Sequence, residues 1–161
     1  MYLNSRQRGF LIPLTIFILV VMSLFALVLS RNTIQTSESA TQEMVSIQAF
    51  YAAESGAQRG MQTLFFPDAS SRQAADARCA AINTTYTFTV DGLKNCTAQV
   101  TCSCQYQDAS TCASGTAANY STSAAAGKLT SVYKISSVGS CGAGILRAVR
   151  TIEAGATLKQ E

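Results

Sequence analysis

The chain predicts an α+β fold, in which one long N-terminal helix packs against a small antiparallel sheet of about four strands in a disulfide-stabilised head. Three observations predict it. An uncharged apolar run from Phe10 to Ser30 is followed by three- and four-residue spacing through Ile34, Thr41, Met44, Val45, Ala49, Ala52, Ala53, Gly56, Gly60 and Leu64. From Tyr86 the apolar period falls to two. All six cysteines lie beyond the apolar run.

The helix comes first. At about 1.5 Å per residue, residues 10–29 make a rod of about 30 Å, the thickness of a bilayer's hydrocarbon core. The leader, residues 1–9, carries Arg6 and Arg8 and no acid, so the positive-inside bias keeps it cytoplasmic and sends the rest across. A secretory signal would end in a small-x-small cleavage site. Here the run ends in Leu27-Val28-Leu29-Ser30-Arg31 instead.

Residues 31–66 read as the amphipathic half of the same helix, with Gln35, Ser39, Gln42, Glu43, Ser46, Glu54, Gln58 and Gln62 on its wet side. Its other stripe is small. Ala49, Ala52, Ala53, Gly56, Ala57 and Gly60 admit close approach by a sheet, which is the reading preferred, or by a neighbouring helix. A glycine inside a helix costs about 0.5–1 kcal/mol against alanine, so Gly56 and Gly60 point to a packing need. Phe66-Pro67-Asp68 ends the helix, because the residue before proline is pushed out of helical geometry.

Residues 67–161 are left for one small head domain. A short helix is expected over 72–81. Tyr86 to Val90 alternates, Asp91-Gly92-Leu93 turns, and Thr97 to Tyr106 alternates again. Asp108 to Gly127 is nearly all Ala, Ser, Thr and Gly, hence a long surface loop. Ser131 to Val138 gives a third strand, Gly139 to Gly144 a turn, and Ile145 to Ala154 a fourth strand. In that strand Leu146, Ala148, Val149 and Ile152 are apolar while Arg147, Arg150 and Glu153 face water.

Cys79, Cys96, Cys102, Cys104, Cys112 and Cys141 are an even set in an exported head, which argues for disulfides worth about 2–4 kcal/mol each. The rival is a zinc site. Cys102-Ser103-Cys104 lacks the usual C-x-x-C spacing, and there is no histidine to help. Cys102 and Cys104 share a strand face and should each bond to a different element. Otherwise the connectivity is open among fifteen. The expected roles are that Cys112 folds the long loop back on the second strand and Cys141 staples the turn after the third.

Composition narrows function. Net charge is +3, falling by the two leader arginines to +1, with no basic cluster, so a nucleic-acid partner is not expected. No histidine, acid pair or phosphate-binding glycine loop stands in a catalytic context, and Asp91-Gly92 reads as a turn. An enzyme is not expected, nor is a cofactor or a metal. The Asn-x-Ser/Thr triplets at Asn83, Asn95 and Asn119 are common by chance and carry no weight if the source is bacterial, as the leader suggests.

Arg6-Gln7-Arg8-Gly9-Phe10 before an apolar helix, then Ala49-Phe50-Tyr51-Ala52-Ala53-Glu54-Ser55-Gly56-Ala57, resembles the type IV pilin-like proteins. Within them the likeness is to PilX-like minor subunits, including those of the mannose-sensitive haemagglutinin (MSHA) pilus. It is strongest over residues 6–64, weaker over 132–152 and thin between. The resemblance implies cleavage between Gly9 and Phe10 by a prepilin peptidase, which methylates the new amine. It also implies a single-pass inner-membrane state with a periplasmic head, followed by assembly with other pilin subunits in a filament at the cell surface. A glycine at the cut lets an extended backbone enter the protease.

One departure bears on role. Major subunits of that family carry a glutamate at the fifth position after the cut, where this chain has Leu14, preceded by Pro13. That glutamate neutralises the amine of the subunit before it, and Leu14 cannot. A subunit that starts or caps a filament is therefore expected. Two other readings stay open: a tip adhesin contacting a ligand through 108–128, and a pseudopilin of a type II secretion system.

Overall fold

The computed structural model describes residues 11–66 and 71–159, the side chains of Leu11, Ile34 and Gln35 excepted. The cut between Gly9 and Phe10 and the helix stop at Pro67 lie outside the described residues. The helix α1 spans Leu11–Phe65, Pro13 falling in its first turn where a missing N–H costs nothing. The chain divides into two compact units, Met1–Thr41 and Gln42–Glu161.

In the first unit α1 is apolar all round from Ile12 to Leu29 and every large apolar side chain there is exposed. The few hydroxyls are satisfied by the helix itself. Thr15 donates to the Ile12 carbonyl at 2.8 Å and Ser23 to the Leu19 carbonyl at 2.7 Å. This segment is long and apolar enough to cross a membrane.

The second unit holds the rest of α1, a helix α2 (Arg72–Ala81) and four strands: β1 (Asn83–Phe88), β2 (Cys96–Tyr106), β3 (Thr130–Cys141) and β4 (Ala148–Lys159). The strands form an antiparallel meander in the order β1-β2-β3-β4. One sheet face lies on α1. The head as a packed body therefore begins at Gln42 and includes the second half of the helix.

Three strands differ in extent from expectation. β1 ends at Phe88, opposite Cys96, and residues 89–95 are the turn, with left-handed backbone at Gly92 (φ 88°) and Asn95 (φ 67°). β3 runs through the expected turn at Gly139, since Gly139 pairs with Ala98 and Arg150 inside the sheet. β4 starts at Ala148 and runs to Lys159, matching β3 residue for residue. Its helix-side positions are Ala148, Ile152, Ala154, Ala156 and Leu158, whereas Leu146 and Val149 are exposed. A two-residue period cannot say which alternating set faces in when both hold small residues.

The core is graded. Leu64, Ala75, Ile82, Val100, Tyr133 and Ile135 fill the end nearest α2, and Ala49, Ala52, Phe88, Cys96, Ala98 and Cys141 fill the other. The sheet can thus sit closest to α1 where its own side chains are smallest.

Candidate functional site

The helix–sheet seam is built from missing side chains. A Cβ placed on Gly56 would lie 2.5 Å from Ser137 Oγ and 2.7 Å from Ala98 Cβ. On Gly60 it would lie 2.8 Å from Val100 Cγ1. Ala49, Ala52, Ala53 and Ala57 complete the buried row, while Met44, placed in the same periodic set by sequence, is 65% exposed. The reciprocal gap on the sheet is Gly139, where a Cβ would collide with the Ala49 carbonyl oxygen and stand 2.5 Å from Ala53 N. Sequence reading placed Gly139 in a turn and missed it. Of the two uses open to the small stripe, the sheet takes it.

The opposite side of this helix half is not covered by the head. Met44, Ile47, Phe50 and Tyr51 are exposed, and the Phe50 and Tyr51 rings meet edge to face at 5.9 Å. These four fall on one helical face at steps of three and four.

The six cysteines form three bonds: Cys79–Cys102, Cys96–Cys141 and Cys104–Cys112. Cys102 reaches α2 and Cys104 the long loop, so neighbours on one strand face serve different elements. Cys141 closes on the start of β2, at the far end of β3. Asp76, Cys104 and Cys112 bring three ligand-type atoms within 4.8 Å of one another. Cys104 and Cys112 are bonded to each other, and a disulfide sulfur is not the thiolate a metal takes.

Sequence reading also missed a buried polar knot beside these disulfides. Asp76 on α2 is 2% exposed and accepts hydrogen bonds from Tyr133 Oη (2.5 Å), Tyr120 Oη (2.7 Å) and Ser131 Oγ (3.2 Å). Arg72, one turn earlier, donates to Ser131 Oγ at 2.9 Å and to the Asn119 carbonyl, and its guanidinium stacks 4.7 Å from the Tyr120 ring centre. Cys104 Sγ touches Asp76 Oδ1 at 3.5 Å but, being bonded to Cys112, has no proton to give. Burial and the Asp76 carboxylate push the Tyr133 phenol well above its usual range. Burial, then hydrogen bonds to Tyr106 and Asp76, do the same to Tyr120.

This knot organises the segment between β2 and β3. The stretch expected as a plain surface loop holds two short 3-10 turns, Ala117–Tyr120 and Ala126–Lys128, and a bridge from Gln105 to Thr111. Asn119 is buried, and Tyr106 Oη accepts from the Ala113 amide at 3.0 Å. The signal for the knot was present in α2: Arg72, Ala75 and Asp76 precede Cys79 by seven, four and three positions, so a bonded Cys79 turns all of them inward.

A surface cleft of about 300 Å³ is lined by Asp76, Cys79, Cys102, Cys104, Gln105 and Cys112 among others. Its sulfurs are all in disulfides and both oxygens of its carboxylate accept hydrogen bonds, so its groups are engaged with one another. Comparison with protein-family models, with curated proteins and with solved structures found no match to this chain.

Proposed function

We propose that the chain is a non-catalytic, minor pilin-like subunit. It is cut between Gly9 and Phe10 by a prepilin peptidase, held in the inner membrane by the first half of α1, and primes or caps assembly of a type IV filament of the MSHA type. The observation that carries this reading is the division of labour within α1. Its first half is an uncovered apolar surface, and its second half is buried on one side by the sheet through Ala49, Ala53, Gly56 and Gly60. The exposed face at Met44, Ile47, Phe50 and Tyr51 then remains for other subunits. Leu14 in place of the family's glutamate supports a starting or capping position over a repeated one.

A second reading, an adhesive tip module, draws support from the way Asn119 and Tyr120 are pinned, because a recognition loop gains affinity when its shape is fixed in advance. The pseudopilin reading shares the helix and gains nothing further from the head.

The deciding experiment is the mass of the N-terminal peptide from native membranes. A peptide starting at N-methylated Phe10 is expected. One retaining Met1 would reduce the protein to an anchored disulfide domain, and one starting near Arg31 would make it a secreted protein.

A further inference from the structure

The tip of the turn between β3 and β4 is left exposed by the fold. Gly142 and Gly144 take left-handed backbone (φ 79° and 58°), and the short 3-10 turn Gly144–Leu146 presents Ile145 at 94% exposure. Leu146 and Val149 beside it are 40% and 47% exposed. Arg147 and Arg150 flank the tip, and residues 142–150 contain no acid. The two guanidinium groups bond only to neutral hydroxyls, Arg147 to Ser140 and Arg150 to Ser46, and among the described residues neither is ion-paired.

The hairpin's place in the unit matters as much as its chemistry. Its base is bonded to β2 through Cys96–Cys141, and a Cβ on Gly142 would stand 3.0 Å from Val45 Cγ1. Val45 lies just inside the point where α1 enters this unit, and only residues 31–41 separate that point from the apolar run. The turn between β1 and β2 lies at the same end of the sheet and adds exposed Val90 and Lys94, set against Asp91.

We infer that the β3–β4 hairpin is a membrane-docking tip that inserts Ile145 into the interface of an anionic bilayer, with Arg147 and Arg150 on the lipid phosphates. An exposed apolar tip rimmed by arginine is the composition of interfacial anchors, and its cations complement an anionic surface. In a chain anchored through α1 the docking is intramolecular, so weak insertion suffices. The inference rests on the membrane-anchored part of the proposed function and is independent of filament assembly.

The chain has no tryptophan, so Ile145→Trp creates a unique fluorescent reporter. The full-length variant is reconstituted in vesicles of equimolar phosphatidylcholine and phosphatidylglycerol, with and without brominated acyl chains, and in phosphatidylcholine alone. With the anionic lipid, Ile145→Trp emission is expected to shift to the blue and to be quenched by bromine. Both effects should shrink in phosphatidylcholine alone and on adding Arg147→Gln. A control reporter, Thr116→Trp in the loop at the opposite end of the sheet, should stay unshifted and unquenched. Failure to co-float with vesicles would overturn the membrane anchoring itself. Co-flotation with unquenched emission would overturn the docking alone, as would a blue shift without quenching, which marks a protein partner.

Discussion

Replacing Gly139 by alanine tests the close approach of helix and sheet more sharply than any change on the helix itself. The new methyl carbon would stand 2.5 Å from Ala53 N and 2.9 Å from Ala53 Cβ, and it would collide with the Ala49 carbonyl oxygen. Carbon contacts normally settle near 3.5–4 Å, so α1 and β3 must separate by about 1 Å. The obstructing atoms are mostly backbone and cannot rotate away, which places the cost near the top of the usual overpacking range of about 1–3 kcal/mol. Loss of glycine's freedom in the unfolded chain returns about 0.4–1 kcal/mol. A net destabilisation of about 2 kcal/mol follows, or a melting temperature lower by roughly 6–10 °C for a domain near this size. The control is Gly155→Ala on β4, whose Cβ would meet only the Tyr133 carbonyl oxygen at 3.8 Å and should change little. Near-UV circular dichroism of the full chain in detergent micelles, with disulfides intact, reads both. Equal melting of the two variants would refute the claim that the seam is closed to one methyl group.

Two further outcomes concern the buried knot. Asp76→Ala strips the acceptor from the Tyr133, Tyr120 and Ser131 hydroxyls, at about 1–3 kcal/mol for each donor left buried and unpaired. It should open residues 107–129 to limited proteolysis, and an unchanged digestion pattern would show that the loop is held otherwise. The second is an alkaline limb. Tyr133 and Tyr120 have folded pKa values above the unfolded value of about 10, so their contribution is intact below pH about 10 and is lost as pH rises beyond it. Above that point, the unfolding free energy read from urea titrations should fall by about 1.4 kcal/mol per pH unit for the buried Tyr133. Tyr133→Phe should remove that part of the slope, and a slope unaltered by the substitution would assign it to other groups.

Local pattern carried much of the architecture. The span of α1 follows from an uncharged run joined to a three- and four-residue period, β2 lies where its two-residue period puts it, and α2 lies where a short helix was expected. The small row on α1 was legible because glycine inside a helix is costly unless something must come close. Gly139 was not legible. The same residue that breaks a strand locally is required in β3, because the seam needs a gap opposite Ala49 and Ala53.

The cysteines show the same boundary. Their number, and the shared face of Cys102 and Cys104, argued for bonds to separate elements, yet pairing Cys79 with Cys102 needs α2 laid against β2. Once that bond exists, the inward turn of Arg72 and Asp76 follows from helical spacing, and the polar loop acquires buried anchors at Asn119 and Tyr120. Composition alone made that loop a surface feature, since it holds few large apolar groups. Part of its order comes from hydrogen bonds to Arg72, Gln73 and Asp76, more than 40 positions away.

By itself the sequence determined an apolar helix able to cross a membrane, a sheet-facing stripe of small residues and an even set of cysteines beyond it, because each is a property of neighbours along the chain. Only the tertiary structure decided which face of β4 is turned inward, where β3 ends, and that one carboxylate ties α2, β3 and the long loop together. Those outcomes depend on atoms distant in sequence meeting within a few ångströms, and periodicity contains no record of them.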